Sequence, residues 1–239
     1  MRFITKAPLL VAFAALLAAS SPSVPGGWSA KPVDQWTIED ARQVLGGSAW
    51  VKRAPVSLLP QRSEFQVRDG GRMGGNSNGV GLSALRVSIF TGTGDPNGST
   101  RRRARKRIPT SFEVRWESGL PVRTAEVVAK EDDPPAWEGE MYAIAVYDVP
   151  GLDVDDKGAP EELKRGALLL RDGKHEVKPV QVNMLPQEGD LTTVVYLFPR
   201  SAKISLEDKR IEFDAVFGRL LLREYFYPKE MQFQGKLEL

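Results

Sequence analysis

The chain contains no cysteine and a single histidine, His175. The first absence removes disulfides and thiolate metal ligands, so a buried core alone has to hold the fold. The second removes the zinc sets that need two imidazoles. A Ser-His-Asp arrangement would require an activated serine beside His175, and no strand-to-helix nucleophile elbow supplies one. An excess of one charge is lacking too, since 33 basic residues face 31 acidic ones. Residues 1–20 hold Arg2 and Lys6 and no acid, so without them the balance is 31 to 31. A neutral chain has no global attraction for nucleic acid or an acidic membrane, and nucleic acid is not an expected partner. No apolar run reaches the ~20 residues of a membrane-spanning helix.

What is present begins with an export signal. Arg2 and Lys6 form a positive start, residues 9–19 are apolar and uncharged, and Ala18, Ala19 and Ser20 are small enough for a signal peptidase. Residues 1–20 are therefore expected to be a cleaved signal peptide, with periplasmic or extracellular release. No cysteine follows to take a lipid anchor. Residues 21–35, rich in Ser, Pro and Gly, read as a flexible lead-in. The rest, 36–239, reads as one β-rich domain, long enough to bury a core without staples.

Within that domain Thr37 and Asp40 have the spacing of a capping box, and Ala41, Val44 and Leu45 share one face of the helix that follows, with Gly46 and Gly47 ending it. Residues 51–59 read as a strand that Pro55 breaks or confines to an edge. Residues 68–110 differ from their surroundings, with Gly/Asn/Arg-rich stretches on both sides of one strand at 85–90, and read as a loop insertion. Phe112, Val114 and Trp116 alternate with Glu113, Arg115 and Glu117, the period of a strand with one dry face and one wet face. Pro121 opens a helix reaching Lys130, with Val122, Ala125 and Ala129 on one face and Glu126 spaced to pair with Lys130. Residues 141–149 and 191–198 are continuous apolar runs, as in strands covered on both faces. Between them lie a short helix from Pro160 to Gly166, a hairpin about Asp172-Gly173 and a strand from Val180. Alternation over 211–217 and 231–239 predicts that the chain finishes inside a sheet. The fold class expected is mainly β: an antiparallel β-sandwich or partly open barrel with two or three short helices.

Three stretches carry a resemblance: Ser48-Ala49-Trp50-Val51-Lys52, Val114-Arg115-Trp116-Glu117-Ser118-Gly119-Leu120-Pro121-Val122, and Met231-Gln232-Phe233-Gln234-Gly235-Lys236-Leu237-Glu238-Leu239. Together they resemble a family of uncharacterised exported bacterial proteins. Its first motif has Ser-Pro-Trp and its second Trp-Glu-Ser-Ala-Leu-Pro, so Ala49 and Gly119 depart from the pattern. The resemblance implies one intact domain with a glycine-rich segment between the first two motifs, and brings no activity or ligand.

Residues that could do chemistry each have a plainer explanation beside them. Arg101, Arg102, Arg103, Arg105, Lys106 and Arg107 place six cations in seven residues. Such a run can bind a polyanion by releasing counterions, or can be a solvated, self-repelling loop, and it lacks the interleaved aromatics of a base-stacking surface. Asp153, Asp155 and Gly158 match part of a calcium loop, but Lys157 and Lys164 stand where oxygen ligands are needed, so an acidic turn before a helix is the simpler reading. Residues 79–84 match a dinucleotide fingerprint without the following helix that would hold a pyrophosphate. Glu113 and Glu117 could be a glycosidase-like carboxylate pair, or a solvated ion-pair face about Arg115. Among the tryptophans, Trp116 belongs to the apolar face, and Trp50 and Trp137 are the ones expected to be exposed as sugar platforms. No metal or other cofactor is implied. The function expected is a non-enzymatic envelope binding or scaffolding domain whose partner is an anionic envelope polymer or another envelope protein, with a carboxylate-dependent hydrolase of envelope glycans as the alternative.

Overall fold

Two strands set the layers of this protein because both of their faces are dry. The computed structural model describes residues 27–59, 109–131, 134–172 and 175–239. In it β3 (Met141–Pro150) and β7 (Leu191–Pro199) pair antiparallel. Tyr142, Ile144 and Val146 of β3, with Val194, Tyr196 and Phe198 of β7, face a main core. The alternate residues Ala143, Ala145, Val195 and Leu197 face a second, smaller cluster that includes Trp137, Tyr147 and Leu185. Period-two burial with cover on both sides is what their unbroken apolar runs require.

These strands belong to one antiparallel nine-stranded sheet in the order β5-β4-β8-β9-β1-β2-β3-β7-β6, formed with β1 (Val51–Leu58), β2 (Ser111–Trp116), β4 (Leu168–Arg171), β5 (His175–Val177), β6 (Gln181–Gln187), β8 (Ile211–Phe217) and β9 (Leu220–Phe226). β1 is where the sheet turns. Residues 51–55 pair with β2 and residues 56–58 pair with β9. Pro55, which has no N–H to give, sits at the hand-over, so it neither ends the strand nor marks an edge. The curled sheet folds its halves toward each other as a half-barrel. Phe112 of β2 meets Phe217 of β8 at 5.6 Å, Trp116 meets Phe226 of β9 at 5.1 Å, and Tyr196 meets Phe213 at 5.4 Å. The partly open barrel expected from the alternation is thus the observed form.

Three α-helices complete the described fold: α1 (Ile38–Gly46), α2 (Leu120–Ala129) and α3 (Ala159–Arg165). The Thr37–Asp40 capping box starts α1 as the spacing predicts, with Ala41, Val44 and Leu45 buried. Lys31 donates to Asp40 at 2.7 Å, and this bond with those from Thr37 lowers the Asp40 pKa to about 2. That contribution to stability is complete above the ordinary carboxylate range and fades as pH falls toward 2. Pro121 lies in the first turn of α2 and Lys130 ends it in a left-handed conformation at φ 57°. α3 has Glu161 and Glu162 at its start and Lys164 and Arg165 at its end, matching the helix dipole. It packs against both β6 and β8, filling the gap between the two halves of the sheet with Leu163.

Several expectations are corrected. Residues 27–35 are not a loose lead-in but two 3-10 turns, with Trp28 buried and Lys31 tied to α1. The last residues do not join the main sheet. β10 (Gln232–Phe233) and β11 (Lys236–Leu237) form a separate ribbon whose Phe233 stacks on Trp28 at 6.2 Å and meets Trp36 edge-on at 5.6 Å. Trp50 is 1% exposed, not a surface platform. Its indole donates to the Glu238 carbonyl at 2.6 Å and its carbonyl accepts from the Trp116 N–H at 2.8 Å. Residues from all three motif stretches therefore meet at one residue, Trp50. The strand expected at 85–90, the fingerprint at 79–84 and the signal at 1–20 lie outside the described residues.

Gly119 makes this junction testable. A Cβ there would lie 2.6 Å from Trp50 Cδ1 and 2.9 Å from its Nε1, and the indole is both buried and hydrogen-bonded, so it cannot swing away. Gly119→Ala should destabilise the domain by roughly 1–3 kcal/mol, the usual cost of overpacking, measured by urea unfolding. Gly46→Ala, where a Cβ meets nothing within 4 Å, should leave the midpoint unchanged or raised.

Candidate functional site

The outer face of β2 was expected to be wet, yet Arg115 is only 8% exposed and Glu117 is fully buried. The cover comes from α2 and from residues 134–137, whose Trp137 packs on the outer cluster of β3 and β7. A tight turn after Trp116 brings α2 back: Ser118 Oγ accepts from the Ala143 N–H at 3.0 Å, and the Gly119 N–H reaches the Trp116 carbonyl at 3.2 Å. Glu126, one turn beyond Val122, then lies on the inward face of the helix at 4% exposure. It points to Arg115 and Glu117 and not to Lys130, the partner its spacing suggested.

Arg115 is the centre of the cluster. Its Nε donates to Glu113 at 2.7 Å, its Nη1 donates to Glu131 Oε2 at 2.6 Å, and its Nη2 donates to Glu131 Oε1 at 3.3 Å. Glu131 reaches it because the left-handed Lys130 turns the chain back over the helix end. The guanidinium also lies over the Tyr147 ring, 4.3 Å from its centroid. Tyr147 lies within an irregularity in β3, where the register with β7 slips between Val146 and Val149 and Asp148 takes φ 58°. Bulges commonly redirect a neighbouring side chain toward a site. Here the Tyr147 hydroxyl donates to Glu117 Oε1 at 2.7 Å.

Burial would lower the proton affinity of Arg115, but Glu131, Tyr147 and Glu113 outweigh it and hold the group more firmly charged than usual. The carboxyls respond in the opposite sense. Burial pushes Glu117 up, with the hydrogen bonds from Glu126 and Tyr147 and the charge of Arg115 restraining it. Burial and the neighbouring Glu117 push Glu126 up to about 9. Glu117 Oε2 and Glu126 Oε1 are buried and accept from no donor group of the protein. A hydrogen bond between two carboxyls needs a proton on one of them, and Glu126, pushed up to about 9, carries one at neutral pH. Tyr147 is raised by burial and by Glu117, and stays a donor.

Two small cavities flank Pro134 and Pro135. One, about 50 Å³, is lined by Glu131, Tyr147, Leu185, Gln187 and Thr193 besides the prolines. The other, about 210 Å³, lies between α2 and residues 134–137, with Arg123, Glu126, Val127, Ala136 and Trp137 in its walls. Arg123 stands over the Trp137 ring at 5.3 Å. Trp137 is the one tryptophan expected at a surface that is half-exposed.

The carboxylate pair suggested by the sequence is not the pair that forms. Glu113 lies within β2 and accepts from Arg115 Nε at 2.7 Å, whereas Glu117 lies in the turn that follows the strand. Glu117 instead meets Glu126 from the helix. Sequence reasoning passed over Glu126, although its place four residues after Val122 puts it on the apolar face of α2. His175 is exposed on the β4–β5 hairpin. Asp153 and Asp156 accept the backbone N–H groups of Asp155 and Gly158, an acidic turn ahead of α3. Among the described residues no cluster of His, Cys, Asp or Glu is arranged to hold a metal ion. The run from Arg101 to Arg107 lies outside the described residues. Comparison with protein-family models, curated proteins and solved structures gives no match.

The shared proton predicts a pH signature. An unfolded glutamate loses its proton near 4.5, whereas native Glu126 keeps it to about 9, so the native state binds the extra proton between those values. Stability should fall as pH rises through that window, by roughly 3 kcal/mol at pH 7 for this group alone. In Glu126→Gln an amide N–H replaces the shared proton. That variant should lose the decline and unfold later than wild type at pH 8 in thermal melts. Arg115→Leu, which leaves the surrounding carboxylates without their cation, should cost about 3–5 kcal/mol.

Proposed function

We propose that this chain is an exported, non-enzymatic binding domain that acts at the cell envelope. The side-chain hydrogen bond that couples Glu117 to Glu126 carries the choice against the hydrolase. Glycoside hydrolysis sets two carboxyls about 5–5.5 Å or 6.5–9.5 Å apart, leaving room for the sugar carbon or a water. Two carboxyls that share a proton leave neither gap. Their ties to Arg115 and Tyr147 suit a role in fastening α2 and residues 134–137 onto the sheet.

The export signal at residues 1–20 supports the location, and the basic run supports the ligand class. Residues 60–108 join the fold between Leu59 at the end of β1 and Pro109 just before β2, two neighbouring strands of one sheet end. Arg101, Arg102, Arg103, Arg105, Lys106 and Arg107 thus belong to a segment tethered at that end. A run of this density binds an anionic polymer by releasing counterions, an attraction that weakens steeply with salt.

Co-sedimentation of the mature protein with lipopolysaccharide tests the reading. Binding should fall as sodium chloride rises from 50 to 300 mM, and should be lost when residues 101–107 are replaced by Ser and Gly. Equal, salt-independent binding by both proteins would remove the cluster from the account. Release of reducing ends from envelope glycans by wild type and not by Glu126→Gln would establish the hydrolase instead.

A further inference from the structure

The polar cluster on the outer face of β2 is short of positive charge. Four carboxyl groups, Glu113, Glu117, Glu126 and Glu131, surround one buried guanidinium, Arg115. The other charged group in the cavity wall, Arg123, is turned onto the ring of Trp137. Tyr147 adds only a neutral hydroxyl. The proton that Glu126 keeps removes one negative charge from this excess and leaves Glu126 Oε1 buried with no donor beyond an Arg115 Nη1 at 3.6 Å. That carboxyl is in the wall of the 210 Å³ cavity, whose other lining side chains are Arg123, Val127, Pro134, Pro135, Ala136 and Trp137.

We propose that this cavity between α2 and residues 134–137 binds an organic cation, a primary ammonium on a short alkyl chain, which seats its charge beside Glu126, lays its chain against Trp137, and displaces the Glu126 proton to solvent. Charge is conserved: one cation enters, one proton leaves, and Glu126 passes from carboxylic acid to carboxylate. An anion would enlarge the negative excess, and the Glu126 hydroxyl is already engaged with Glu117. A bare calcium or magnesium ion needs six or more oxygen ligands, and walls of Pro134, Pro135, Val127, Ala136 and Trp137 cannot furnish them. An alkylammonium needs only an acceptor for its head and apolar or aromatic surface for its chain. Indole is the best aromatic face for a cation, and Arg123 already uses it that way. This site is separate from the polyanion reading, and either can fail without the other.

Isothermal titration of the whole mature protein with n-butylammonium, in two buffers of different ionisation enthalpy, tests the proposal. Binding should release close to one proton per site at pH 7, and affinity should rise about tenfold per pH unit from pH 6 to 8. Glu126→Gln should bind more weakly, with no proton release and no pH dependence. Trp137→Ala should weaken binding while leaving the proton count unchanged. Nα-acetyl-lysine N-methylamide, run alongside, separates a lysine side chain on a partner from a free amine by which binds more tightly. Absence of n-butylammonium binding at millimolar concentration, tighter binding of butyrate, or equal binding by Glu126→Gln without proton release would each overturn it. Circular dichroism of both variants confirms that loss of binding is not loss of fold.

Discussion

A guanidinium withdrawn from water has to be fully paired, and the outer half of this protein is organised around meeting that demand for Arg115. The strand period directs Arg115 outward from β2, and α2 and residues 134–137 then close over it. Leaving such a group dry and unpartnered would cost several kcal/mol. Glu113 from its own strand, Glu131 from the end of α2 and the Tyr147 ring supply the pairing. Each comes from a different place in the chain, so satisfying Arg115 fixes where the end of α2 and β3 lie against β2. Once the cover is closed, Glu117 and Glu126 lose their water as well and must share a proton.

The inner half is held differently. Its core is aromatic and aliphatic, folded between the halves of a sheet that turns at Pro55 of β1. Trp50 locks the end of that core, bonded to Trp116 and Glu238 and crowded by Gly119. Without disulfides, these two assemblies, one apolar and one ionic, hold the described fold together with ion pairs such as Arg171–Asp208 and Arg223–Asp214. The covering of both faces of β3 and β7 joins them, because every second residue of these strands serves one assembly and the rest serve the other.

Much of the inner half was legible in the residues. The Thr37–Asp40 box, the alternation of Ile211, Phe213, Ala215 and Phe217, and the unbroken runs of β3 and β7 are local signals with local causes. The outer half was not, because its cause is tertiary. Glu113-Val114-Arg115-Trp116-Glu117 alternates as a half-solvated strand does, and nothing within those residues says that a helix will cover the polar side. Glu126 could have been suspected from its place on the apolar face of α2, but a glutamate four residues before a lysine also has a plain surface explanation. The same limit explains Trp50, whose burial depends on a carbonyl 188 residues away, and residues 27–35, whose polar composition hides the docking of Trp28.

The state of Glu126 is the point on which the account of this cluster turns. Its carboxyl carbon can be followed by ¹³C NMR from pH 4 to 10, with Glu126→Gln used to assign the resonance. The account predicts a carboxylic acid at pH 7 and a midpoint near 9. An ionised Glu126 at pH 7, titrating with the ordinary glutamates near 4.5, would contradict it.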